Sequence, residues 1–179
     1  MKLSKVKLIS VLSIAIIGYG QGFIQDIIAS HQNSELVGFA KVHDGDTLKI
    51  NGKNIRLYGL DAPELKQNCY EGKQKIKCGE ISRDYLKNMI ADRQIFCTDL
   101  DRDKYGRIDG NCYSFHSVDN SKINLGQQMV NAGWALAYRT YSPRFIINET
   151  FAQITLKGIW QYQFQKPWNW RKTNKGNKI

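Results

Sequence analysis

The sequence predicts an α+β fold, mainly β, in which five short strands form a barrel and three helices pack on it. Three observations carry that reading. Runs of alternating or β-branched residues recur with turn residues between them. Helical spacing appears three times. No stretch rich in Gly, Ser or Pro divides the 179 residues, so the length suits one domain. Apolar residues make up 42% and charged residues 23%, an ordinary globular composition that excludes a largely disordered, collagen-like or solenoid chain.

The first thirty residues read as an address. Lys2, Lys5 and Lys7 precede the uncharged stretch Leu8–Gly20. That stretch is short against the roughly 20 apolar residues a spanning helix needs. A basic head, a short apolar run and then small residues describe a secretory signal, cut after Gly20 or Ser30. A retained N-terminal anchor is the alternative. The chain then divides into residues 1–30 as signal or anchor, 31–160 as the barrel domain, and 161–179 as an aromatic and basic strap and tail. The expected location is secreted or periplasmic.

The elements follow in order. Leu36–Val42 is β-prone, Asp44-Gly45-Asp46 is a turn, and Thr47–Ile50 is a strand. Asn51-Gly52 is a strong hairpin signal, and Asn54–Leu60 is the third strand. Cys78–Ala91 switches to helical spacing, with Ile81, Tyr85, Leu86, Met89 and Ile90 on one face. Gln94–Leu100 and Gly110–Phe115 are the last two strands. Asn124 caps a helix carrying Leu125, Met129 and Val130, and Gly133 stops it. Ser142-Pro143 opens a third helix that runs to about Lys157, before Gly158. Five strands with a helix inserted between the third and fourth suggest an OB-fold barrel.

Four cysteines allow three pairings. Cys69 and Cys78 flank a short polar segment, and Cys97 and Cys112 sit in strands on either side of a turn. Neighbour pairing, 69–78 and 97–112, is therefore expected. Disulfides agree with export, and the spacing carries no zinc-ligand pattern.

The formal net charge is +10. Removing residues 1–30 takes away three lysines and one aspartate and leaves +8, so the excess belongs to the folded domain. It calls for a polyanionic partner, either nucleic acid or an anionic membrane surface.

Three short places concentrate the chemistry: Val42-His43-Asp44-Gly45-Asp46-Thr47, Ile55-Arg56-Leu57-Tyr58-Gly59-Leu60-Asp61-Ala62-Pro63-Glu64, and Asp101-Arg102-Asp103-Lys104-Tyr105-Gly106-Arg107. Carboxylate oxygens in turns suit a hard divalent cation, and arginine forks suit phosphate. Arg56 and Asp61 are five residues apart, which in a regular strand would put them on opposite faces. If they serve one site, the strand must break between them, with Gly59 the expected place.

These motifs, followed by Gly-Trp-Ala-Leu-Ala-Tyr and Lys-Gly-Ile-Trp, resemble the staphylococcal nuclease (thermonuclease) family from about Val37 to Trp160. The resemblance implies an OB-fold endonuclease that uses one Ca²⁺ to hydrolyse DNA and RNA to 3′-phosphate ends. It implies Asp46, Asp61 and the backbone carbonyl of Ala62 as metal ligands. Arg56 and Arg107 fall to the scissile phosphate, and Glu64 to the attacking water. Lys104 and Tyr105 match residues near a terminal phosphate, and Tyr141 falls near the nucleotide pocket. Arg139 stands where the family has a second pocket tyrosine, with Tyr138 one place off.

Two other readings remain open: a non-catalytic nucleic-acid-binding barrel, and a cationic envelope protein with a structural calcium site. A monomer is expected, with membrane contact only through an uncleaved N-terminal segment. His43 is expected at the surface, and Asn148-Glu149-Thr150 lies within a helix, which argues against glycosylation. Trp160, Tyr162, Phe164, Trp168 and Trp170 alternate with Lys166, Arg171 and Lys172. A strap packed back on the barrel is favoured over stacking on single strands or a membrane contact. Thr173–Ile179 is expected to be a disordered basic end.

Overall fold

The computed structural model describes residues 35–116 and 119–174. The signal segment, residues 1–30, and most of the basic end, residues 175–179, lie outside the described residues. The strands are β1 (Leu36–Val42), β2 (Thr47–Ile50), β3 (Lys53–Leu57), β4 (Leu60–Asp61), β5 (Cys69–Glu71), β6 (Gln74–Ile76), β7 (Gln94–Arg102), β8 (Ile108–Phe115), β9 (Lys122–Asn124) and β10 (Leu136–Ala137). The helices are α1 (Cys78–Ile90), α2 (Leu125–Asn131), α3 (Ile146–Ile154) and α4 (Pro167–Thr173).

Five strands close the barrel. β1 pairs antiparallel with β2 and β7, β2 with β3, and β7 with β8; a parallel β3–β8 ladder completes the ring. The β2 side chains alternate, with Leu48 and Ile50 fully buried and Lys49 outward. The β2–β3 hairpin turns on Asn51 and Gly52, both at positive φ (48° and 81°), as a two-residue hairpin of this hand requires. A bulge between Thr98 and Asp101 bends β7 so that it can serve both β1 and β8.

The core joins Ile55, Leu57, Leu86, Ile95, Leu125, Met129 and Val130 inside the barrel and under α1 and α2. Each such side chain contributes roughly 1.5–3 kcal/mol on burial. A disulfide joins Cys97 to Cys112, which face each other across the β7–β8 ladder. A second joins Cys69 in β5 to Cys78 at the start of α1. Both pairings match the neighbour spacing.

Several boundaries differ from the sequence reading. α1 buries Cys78, Ser82, Leu86 and Ile90, while Ile81 is exposed. α3 starts at Ile146 because Ser142–Phe145 forms a turn: the Ile146 N–H donates to the Pro143 carbonyl, and Ser142 Oγ accepts from the Arg144 N–H. It stops at Ile154, before Leu156 and Gly158 take positive φ. The fourth helix, α4, and the β5–β6 hairpin were not expected. Both are too short for apolar periodicity to show.

The aromatic segment packs inward. Trp160, Tyr162, Phe164 and Trp168 surround Cys69, Cys78, Leu136 and Ile159 in a second cluster. Tyr70 and Gln163 exchange both backbone hydrogen bonds (2.8 and 2.9 Å), tying the segment to the β5–β6 hairpin.

Candidate active site

Each site residue is placed by a local interruption of the barrel. Asp46 sits at the mouth of β2, where its N–H donates to Asp44 Oδ1 (3.1 Å) and closes the turn. Its side chain is buried. Oδ2 accepts the Ala62 N–H (3.0 Å), and both carboxylate oxygens meet the Arg56 guanidinium at 2.7 Å.

Arg56 projects from β3 on the face opposite the core residues Ile55 and Leu57, and the strand ends at Leu57. Gly59 then takes φ +84°, a conformation costly for any other residue, and the chain restarts as β4, paired with β10. The break turns Asp61 to the side Arg56 occupies. Arg56 Nη2 donates to Asp61 Oδ1 at 2.6 Å. The five-residue spacing required this interruption, and Gly59 provides it.

Glu64 follows Ala62-Pro63 on a loop held by Gln67. Gln67 Oε1 accepts the Glu64 N–H (3.2 Å), and the Glu64 carbonyl accepts the Gln67 N–H (2.7 Å). Gly79, in the first turn of α1, lies so close that a Cβ there would sit 1.8 Å from the Glu64 carbonyl oxygen. The Glu64 side chain is one-third exposed and accepts a hydrogen bond from Arg171 Nη1 (2.8 Å).

The electrostatics follow from burial. Burial pushes the Asp46 carboxyl up to about 7; Arg56 opposes the rise, and Asp44 and Asp61 add to it. Burial works against the Arg56 charge, but Asp46 and Asp61 outweigh it and hold the guanidinium above its ordinary value. The donor chemistry fits a hard divalent cation. Asp46 and Asp61 offer buried carboxylate oxygens. Among the described residues no three carboxylate, imidazole or thiolate groups form a ready cage, so two carboxylates would need backbone or water oxygens beside them.

Arg107 shares a cleft with Arg56, Tyr58, Asp109, Tyr138 and Tyr141. Its guanidinium is paired with Asp103 (Nε to Oδ2, 2.7 Å). Lys104 and Tyr141 line a neighbouring cleft of about 390 Å³. Tyr105 is 69% exposed and lines neither cleft; Lys104 and Arg107 lie over its ring at 5.2 and 5.5 Å. Arg139 forms an ion pair with buried Glu149 (2.7 Å), which also accepts the Ala137 N–H (3.1 Å). Tyr138 stacks on Trp168 at 5.4 Å and tilts against Tyr141 at 4.8 Å. His43 is exposed. Asn148 Nδ2 donates to Asn131 Oδ1 (2.8 Å).

Sequence reasoning missed Arg171, Gln67 and Glu149. Arg171 donates to both oxygens of Asp61 (2.9 and 2.7 Å) as well as to Glu64. Gln67 carried no motif. Glu149 could have been found as an acid on the inner face of a helix.

A closed five-stranded barrel with two buried aspartates and an arginine at its mouth places the chain among OB-fold proteins with an acidic, arginine-bridged centre. The family model described as "Staphylococcal nuclease homologue" matches residues 54–162, and the chain belongs to that family. It is 33% identical over 138 residues to an "Uncharacterized endonuclease" of Escherichia coli, covering 73% of this chain and 81% of that one. It is 29% identical over 147 residues to a "Micrococcal nuclease" of Shigella flexneri, covering 75% and 79%. It is 29% identical over 159 residues to "Protein ParB" of Escherichia coli, covering 82% and 85%. The protein is thus a nuclease-family enzyme, a hydrolase by class. Its two disulfides fit a compartment outside the cytoplasm, and no described helix is long and apolar enough to cross a membrane.

Proposed function

We propose that the protein is a secreted or periplasmic, calcium-dependent endonuclease that hydrolyses phosphodiester bonds of DNA and RNA to leave 3′-phosphate ends. The observation that carries this is the convergence of Asp46, Arg56 and Asp61 at 2.6–2.7 Å, with Glu64 joined to Asp61 through one guanidinium. Asp46, Asp61 and the Ala62 carbonyl would hold the ion. When bound, Ca²⁺ would supply positive charge against the anionic phosphodiester and its transition state.

The protein's own groups have distinct work. Arg56 and Arg107 face one cleft and offer planar donor forks to the non-bridging phosphate oxygens. Charge building on those oxygens during in-line attack is where such preset donors act most strongly. Glu64 Oε1 or Oε2 would orient the attacking water and take its proton, at about 2.6–3.2 Å in a working geometry. The 5′-oxygen would leave and the 3′-oxygen stay on phosphorus. Lys104 and Tyr141 line the neighbouring cleft, where an adjoining nucleotide would rest, and Tyr105 would act from outside it, its ring beneath Lys104 and Arg107.

Zymography on DNA and on RNA, with and without chelator, tests the reading. Clearing that is lost with chelator and with Arg56→Ala supports it, and product-end analysis checks the 3′-phosphate. Retardation of nucleic acid without cleavage would support a binding barrel, and neither outcome would leave a cationic envelope protein.

A further inference from the structure

The matched family region ends at residue 162, yet a side chain from residue 171 reaches the centre of the site. Arg171 lies in the last turn of α4. Its Nη1 donates to Asp61 Oδ1 (2.9 Å) and Glu64 Oε1 (2.8 Å), and its Nη2 to Asp61 Oδ2 (2.7 Å). The fork therefore spans two carboxylates. Asp61 is fully buried, while Arg171 is about one-third exposed.

This reach is built by the fold. The segment before α4 is fixed by the Tyr70–Gln163 backbone pair and by Gln67 Nε2, which donates to the Gln165 carbonyl at 2.6 Å. The same Gln67 side chain holds the Glu64 loop through its Oε1. Pro167 starts α4, and Trp168 stacks on Tyr138. One glutamine and one ring stack thus set the distance between α4 and the acidic centre.

Charge explains why a guanidinium belongs there. Asp46, Asp61 and Glu64 are three carboxylates, and Arg56 alone leaves them undercompensated. Arg171 brings the balance close to neutral. A divalent ion bound to Asp61 would contest the same oxygens: Oδ2 is taken by Arg171, and Oδ1 is shared between Arg171 and Arg56. The ion and the guanidinium, both positive, also repel each other.

We propose that Arg171 is a further active-site residue: a tethered cation that balances Asp61 and Glu64 while the metal is away and yields Asp61 when a divalent cation binds. Metal loading and release of α4 from the acidic centre are then one event. This rests on the metal-dependent reading of the site.

The test is calorimetric titration of the full chain with Ca²⁺ alone, for wild type, Arg171→Lys and Arg171→Gln. Removing the competitor should tighten Ca²⁺ binding by about tenfold in Arg171→Gln, with Arg171→Lys, which cannot fork, in between. Tryptophan emission gives a second readout, because Trp168 and Trp170 sit on α4 beside Arg171. Emission should change with Ca²⁺ in wild type and little in Arg171→Gln. Equal or weaker Ca²⁺ binding by Arg171→Gln overturns the exchange and leaves the nuclease reading intact. No Ca²⁺ binding by any of the three chains overturns the calcium-dependent reading and the exchange with it. Circular dichroism monitors folding. Should Arg171→Gln not fold, Arg171→Lys carries the same comparison, and equal affinity there overturns the exchange.

Discussion

Arg56 and Arg107 face one cleft but are held in opposite ways. Arg56 projects from a barrel strand, has a side chain 16% exposed, and bridges two buried aspartates. Arg107 ends a turn, has a side chain 52% exposed, and is paired with Asp103 four residues earlier in that turn. The first is fixed by long-range structure, from residues 10 before and five after it. The second is fixed by its own loop. Folding and function therefore should be coupled at Arg56 and separable at Arg107.

Arg56→Ala gives the sharpest break. It removes a phosphate donor and leaves Asp46 and Asp61 buried without their shared partner. Activity should fall by at least about 10³-fold, at the upper end for loss of one preset donor. Stability should fall by about 3–5 kcal/mol, the cost of breaking a buried pair from one side. Arg107→Ala should lower kcat by about 10²-fold while leaving the melting temperature unchanged. Steady-state rates and thermal melts on both variants check the contrast, and equal stability losses would erase it.

The disulfides extend the comparison to the scaffold. Cys97–Cys112 closes a loop of sequence separation 15 and ties β7 to β8, whose far ends carry the Asp101–Arg107 turn. Replacing both cysteines with serine should cost about 3 kcal/mol by the loop-entropy estimate. Urea melts give the loss. Residual activity under native conditions should stay near wild type, because neither cysteine touches the cleft.

The contrast also shows what could be read before folding. Once the resemblance put Arg56 and Asp61 in one site, their spacing demanded a break between them, since a two-residue period cannot place both on one face. Gly59 supplied the means. The barrel strands were legible because Thr47–Ile50 alternates and the Asn51-Gly52 turn marks its hairpin with the next run. Arg171 was not legible. Its partners Asp61 and Glu64 lie 110 and 107 residues away, and it sits beside Lys172 in a segment that reads as generic basic tail. The seven residues of α4 are too few to show a period. Gln67 was hidden for a related reason: it satisfies backbone groups, a task that leaves no composition signal.

Asp46 makes the buried half of the comparison sensitive to pH. Its carboxyl is raised from about 4 to about 7, so the folded protein keeps a proton that the unfolded chain has released in that window. Where the folded state binds more protons, stability falls as pH rises. The metal-free protein should therefore lose stability between about pH 4 and pH 7, and Asp46→Asn should flatten that slope. Urea denaturation across the range, with chelator present, measures it. A slope unchanged in Asp46→Asn would assign the pH dependence to other groups.

The smallest expected effect lies at Asp103, and it isolates how Arg107 is aimed. The two oxygens of Asp103 have separate tasks. Oδ1 accepts the Tyr105 and Arg107 N–H groups (both 2.9 Å), which shape the turn. Oδ2 accepts Arg107 Nε (2.7 Å). Together these bonds hold the carboxyl below its ordinary range, against the desolvation that would raise it. Asp103→Asn can keep the carbonyl oxygen toward the two backbone donors and turn its amide toward the guanidinium. The turn then survives, while the guanidinium loses its acceptor and meets a donor instead. The kcat/KM should fall by only about threefold to tenfold, with little change in melting temperature, because the Arg107 partner of the pair is half-exposed and the turn's backbone bonds are kept. A loss as large as that of Arg107→Ala would mean that one local carboxylate sets the whole placement of this arginine. Both arginines would then be anchored residues, one by the barrel and one by its turn.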